Sequence, residues 1–229
     1  MSAGIEFQIK PGFAVPIAST THPRAEEINP ALRELCAQRV EAGAVHANPE
    51  PEAWLGKGVF ESVADVFTWR EAPAVSLREF TTAAMYRLIA ELNGYAREDI
   101  EQLHMRAAAC FHVMESGGAV GVRNHPMWGW VGIYCIDSGY PENADAASGH
   151  IEWLNPNATA GMYVDASVAA VRPPWSLAAK RLALRPGELV VFPAWMQYSV
   201  MPYTGSGRRT TVTFCAGFQP GPSDSTSNR

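Results

Sequence analysis

The sequence predicts an α+β fold, with a helical layer laid against an antiparallel β-sandwich. Three observations carry this. The first hundred residues hold long segments with apolar side chains at helical spacing. From about residue 105 the texture changes to short runs rich in Val, Ile, Thr and aromatics, broken by Gly, Pro and Asn. The chain has 229 residues, 47% of them hydrophobic and 18% charged, enough apolar material to fill a sizeable core. We expect one domain over 1–229: helical support over 1–104, a β core over 105–218 and a flexible Pro/Ser-rich tail over 219–229.

In chain order, "HPRAEEINPALRELCAQRVEAGAV" sets Ile28, Leu32, Leu35 and Val40 on one helical face. "SLREFTTAAMYRLIAELNG" is the clearest helix, with Ser76 as the expected cap, Glu79 three residues on, and Gly94 as the stop. "REDIEQL" adds a short turn. The expected strands are "AAACFHVME", "WGWVGIYCID", "HIEWLN", "KRLALR", "ELVVFPAW", "QYSVMPY" and "RRTTVTFCAGF". "PYTGSGRRTTVTF" reads as a hairpin closing on a Gly-rich turn. Residues 155–175 form a long loop-like stretch, an expected lid over the mouth of the sandwich. Trp128, Trp130, Tyr134, Trp153, Trp195 and Tyr203 are read as core packing.

Composition excludes some functions. The net charge is −5, and the 18 Lys and Arg residues form no basic run, which argues against a nucleic-acid partner. No stretch approaches the roughly 20 apolar residues of a membrane span. The N-terminus carries no apolar signal region. Cys36, Cys110, Cys135 and Cys215 make no close pair and read as reduced, packed thiols. The expected location is cytoplasmic. The expected partner is a small-molecule substrate, with neither nucleic acid nor membrane, and a homodimer is left open.

Residues 187–214, "GELVVFPAWMQYSVMPYTGSGRRTTVTF", resemble the C-terminal half of the iron- and 2-oxoglutarate-dependent oxygenases. The resemblance is to the 2OG-Fe(II) oxygenase group in particular. Upstream, Gly117, His125, Pro126, Trp130, Gly132, Ile133, Tyr134 and Ile136 fall in step with that group's pattern. "SGHIEWLNPN", "FAVPI" and "GVFESVADVFTW" have counterparts too, so the resemblance spans roughly residues 8 to 218. It implies a double-stranded β-helix, a jelly roll of the cupin kind. It also implies Fe(II) and 2-oxoglutarate as cofactors, and hydroxylation or desaturation of a small organic substrate.

That chemistry needs two His and a third group on iron, with an Arg on the distal carboxylate of the oxoacid. By the resemblance, Arg209 is the carboxylate-binding residue and His125 a metal ligand. Arg123 replaces the first His of the H-x-H-P element, and Tyr198 replaces the distal His. His112 replaces an Asn and is a candidate compensating ligand. Tyr198 can donate a hydrogen bond to a substrate carbonyl. Two arrangements stay open for Arg123. Arg123 and Arg209 both meet anions in a pocket without iron, the chain being a metal-free binding protein or cofactor-independent enzyme. Alternatively, Arg123 turns to solvent and a metal site is rebuilt from His112, His125 and an acid such as Glu115 or Asp137.

Overall fold

The computed structural model describes residues 8–9, 14–139, 146–157, 162–163 and 165–221. Among the described residues, ten strands and three α-helices follow one another in order. Strand β1 is Ala18–Thr21, α1 Ala25–Glu41, β2 Val59–Glu61, α2 Ala72–Asn93, α3 Arg97–Glu101 and β3 Leu103–Met114. Then come β4 Val120–Arg123, β5 Trp130–Asp137, β6 Ile151–Trp153, β7 Lys180–Leu182, β8 Glu188–Pro193, β9 Tyr198–Val200 and β10 Arg209–Pro220. The strands make two antiparallel sheets: β1-β8-β5-β10-β3-β2 and β4-β9-β6-β7. This is the double-stranded β-helix that the resemblance implies.

The large sheet is organised around β3 and β10. They pair along their whole length, from Arg209 opposite Met114 to Pro220 opposite Leu103. Its central strands are covered on both faces, so they read as continuous apolar runs. Strand β5 shows why. Tyr134 and Ile136 pack with α1 and α2 residues Ile28, Leu32, Leu77 and Met85. Val131, Ile133 and Cys135, on the other face, pack between the sheets with Ile151, Trp153, Phe192 and Tyr198. Gly132 has no side chain because a Cβ there would collide with the ring of Phe214.

Four details differ from the sequence reading. Helix α2 begins at Ala72, not at Ser76, with Pro73 in its first turn, where a missing N–H costs nothing. The Ser76 hydroxyl lies 3.4 Å from His22 Nε2 instead. Gly94 does end the helix, in the left-handed conformation at φ 65°. The first hundred residues also supply two strands, β1 and β2, too short to show a period. "PYTGSGRRTTVTF" is not a hairpin: β9 pairs with β4 and β6, while β10 pairs with β3 and β5. Its Gly-rich segment carries the chain from one sheet to the other. Trp195 is not core but 53% exposed, because the chain turns after Pro193 and sends Ala194 and Met196 inward.

Of the expected lid, residues 158–161 and 164 lie outside the described residues, and the rest is mostly exposed turn. Of the expected tail, 222–229 lie outside the described residues, and Gln219 and Pro220 belong to β10. No helix among the described residues is long and apolar enough to cross a membrane.

Candidate functional site

The two sheets bring five of the expected site residues together. In the small sheet, Arg123 at the end of β4 stands opposite Tyr198 at the start of β9. His125 lies two residues beyond β4, fixed by its backbone N–H to the Ala194 carbonyl at 2.9 Å. In the large sheet, His112 on β3 faces Thr211 on β10, and Arg209 opens β10. All five are buried, Tyr198 at 2% exposure and Arg123 at 8%. Arg208, next to Arg209, is exposed and pairs with Glu115, as strand alternation requires.

The organising group is Glu61. Strand β2 sets it directly opposite His112. Its Oε2 takes hydrogen bonds from His112 Nε2 at 2.8 Å and Arg123 Nη1 at 2.9 Å, and its Oε1 takes one from Asn48 Nδ2 at 2.6 Å. A carboxylate 2% exposed is stable only with such company. Burial works to raise the Glu61 carboxyl, but His112, Arg123 and Asn48 outweigh it and hold it at about 2. Burial lowers His112 more than Glu61 raises it, so the imidazole is neutral and donates. Arg123 stays charged despite burial, because the ionised Glu61 carboxylate is paired with it. Arg123 Nε is buried with no hydrogen-bond partner among the described residues.

The second pair is His125 and Tyr198. His125 Nε2 and the Tyr198 hydroxyl are 2.9 Å apart, with the rings stacked at 5.8 Å. Burial, with Arg123 and His112 nearby, pushes His125 down to about 4. Burial raises the Tyr198 phenol well above its ordinary value, against the opposing pull of Arg123. At neutral pH the pair is an uncharged imidazole and a protonated phenol. At the mouth, Glu52 Oε2 lies 3.5 Å from both Arg123 Nη2 and His125 Nδ1, and Glu52 is 63% exposed. Between Arg123, Tyr198, His112, Arg209, Thr211 and Thr213 lies a cavity of about 10 Å³, room for roughly one water molecule.

These facts correct one sequence reading. Arg123 does not turn to solvent, and neither suggested acid joins the site. Glu115 is tied to Arg208 at 3.0 Å. Asp137 is tied to Arg33 at 2.9 Å and to the Gly139 N–H at 2.8 Å. The acid present is Glu61, which the sequence reading missed along with Asn48, Glu52 and Cys110. Glu61 follows two apolar residues in a three-residue strand, so periodicity gives no hint of its burial. Cys110 had a signal: it stands two residues before His112, on the same strand face.

At the positions where the resemblance places iron ligands, the donors are one imidazole, one protonated phenol and one guanidinium. No anion is among them. A dication about 4 Å from the guanidinium would be opposed by roughly 8 kcal/mol at an effective dielectric of about 20. These three side chains do not fit a ferrous ion.

No protein-family model matches the chain, and no curated protein matches it. Solved structures do. A prolyl-4-hydroxylase from Pseudomonas putida aligns with TM-score 0.57 and 15% identity, over 89% of this chain and 92% of that one. A prolyl hydroxylase from Trichoplax adhaerens, in complex with a hypoxia-inducible-factor peptide fragment, aligns with TM-score 0.57 and 9% identity over 88% and 83%. HygX from Streptomyces hygroscopicus, with nickel, 2-oxoglutarate and hygromycin B bound, aligns with TM-score 0.53 and 9% identity over 94% and 86%. At such identities the likeness is one of fold. The chain shares the double-stranded β-helix fold of these solved structures.

Proposed function

We propose that this chain is an iron-free descendant of the oxygenase fold that binds a carboxylate-bearing small molecule. The observation that carries the reading is Arg123. It stands where iron would need an imidazole, is buried, and is locked to Glu61 at 2.9 Å. Glu52 supports the ligand class. Its carboxylate already rests against Arg123 and His125 at 3.5 Å, longer than a good hydrogen bond, so it is held loosely at the mouth. A ligand carboxylate would take its place. The inner cavity has room for about one water, so the ligand engages the Arg123 and His125 end from outside.

A second reading keeps the oxygenase and rests on Arg209. Arg209 is buried at the head of β10, where the resemblance puts the Arg for 2-oxoglutarate. Calorimetry with small mono- and dicarboxylates in excess chelator separates the two. The iron-free reading expects saturable binding without metal, tightened about fivefold by Glu52→Gln, which removes the internal competitor at a gain of about 1 kcal/mol. Binding seen only after ferrous ion is added would contradict it, as would no binding at all.

A further inference from the structure

Beside the Arg123, His125 and Tyr198 positions, one cluster has metal-ligand chemistry. Glu61, Cys110 and His112 present a carboxylate oxygen, a thiol sulfur and an imidazole nitrogen, all within 4.8 Å of one another. It is the one such cluster among the described residues. Its placement follows from the sheet. Cys110 and His112 are two apart on β3, and Glu61 on β2 is the register partner of His112. All three therefore belong to the large sheet, whereas Arg123 and Tyr198 belong to the small one.

We propose that Glu61, Cys110 and His112 form a site for a soft divalent cation of the zinc class. Metal–ligand distances of about 2.0–2.3 Å put tetrahedral donors about 3.4 Å apart. The present spacing needs only modest change to reach that. The 2.8 Å contact between His112 and Glu61 opens by about half an ångström, and the sulfur closes in. A thiolate with an imidazole selects zinc-like ions over magnesium or calcium. Electrostatics separates this cluster from the iron positions beside it. There a dication meets Arg123 with no anion among the donors. Here the Glu61 carboxylate and a Cys110 thiolate put two anions among the donors, set against the ion and the Arg123 guanidinium that also holds Glu61.

The protons balance simply. His112 shifts its Nε2 proton to Nδ1 and stays neutral. The cation displaces the Cys110 thiol proton to solvent, so one proton leaves per ion bound. Arg123, on the same Oε2 as His112, and Asn48, on Oε1, already hold Glu61, as the outer partners that orient a metal-bound carboxylate. Three protein donors leave a fourth position for water or an incoming group. Zinc does not change oxidation state, so the site is compatible with a protein that performs no iron oxidation.

The test uses cobalt(II) alone as the probe, added to the full chain during refolding from chelator because Glu61 is buried. The expected result is one cobalt per chain with a thiolate-to-cobalt charge-transfer band. Cys110→Ser should remove the band and weaken binding at least tenfold, while Cys215→Ser and His125→Asn leave both unchanged. Circular dichroism of the metal-free variants checks that each folds, and the wild-type spectrum needs no variant. No stoichiometric cobalt, or a band that survives Cys110→Ser, overturns this site and leaves the iron-free reading standing. Cobalt bound without a thiolate band and lost in His125→Asn would place the ion at the oxygenase positions, and both readings would fall.

Discussion

Glu61 is the residue on which the site turns. It neutralises a buried guanidinium, accepts from a neutral imidazole and closes the gap between the sheets. Glu61→Gln removes the anion and leaves Arg123 buried and uncompensated, and breaking such a pair costs about 3–5 kcal/mol. Denaturant unfolding at neutral pH should show that loss. His125 gives a second test. Its folded value of about 4 lies below the ordinary 6.5, so between them the unfolded chain binds the extra proton. Stability is therefore full above about 6.5, falls as pH drops towards 4, and loses roughly 3 kcal/mol over that window. Glu61 adds a later loss, because its folded value of about 2 lies below the ordinary 4.5. Its contribution is full above about 4.5 and disappears as pH falls through about 2. His125→Gln, which can still bond Tyr198, should shrink the limb from 6.5 to 4 to the part that His112, also lowered by burial, supplies, and leave the lower one. An unchanged upper limb would assign that loss to another group.

At the scale of elements, the long strands and helices were legible because both periods were clean. Strand β5 alternated its two apolar faces, and α2 ended at a glycine that the left-handed turn requires. Gly94→Ala should cost about 1 kcal/mol in thermal unfolding, the strain of a side chain at positive φ. Ser76→Ala should change stability by under about 0.5 kcal/mol, because Ser76 lies inside the helix and caps nothing. The short strands β1, β2 and β4 were not legible, whereas β6, β7 and β9, equally short, were read because they lie inside the longer β-rich runs "HIEWLN", "KRLALR" and "QYSVMPY". That mattered, because β2 carries Glu61. Closeness in sequence made β9 and β10 look like a hairpin. Only register shows that their polar ends, Tyr198 and Arg209, face each other from different sheets across the cavity.

For the whole molecule, the sequence motifs announced the fold and the positions of Arg123, His125, Tyr198 and Arg209. They did not announce how those side chains are spent. Arg123 and Glu61 are 62 residues apart, and no local pattern links an Arg at the end of β4 to a Glu in a turn-flanked strand. The fold is that of solved 2-oxoglutarate enzymes, but the positions where the resemblance puts iron ligands hold a salt bridge and a phenol–imidazole pair. The central claim is that this arrangement does not hold iron. The measurement that tests it most directly is an anaerobic ferrous titration of the wild-type chain with 2-oxoglutarate present, followed by oxygen and assay of succinate. The account predicts no ferrous ion dependent on His125 or Tyr198, and no succinate above background. One iron per chain, lost in His125→Asn, with stoichiometric succinate would contradict it.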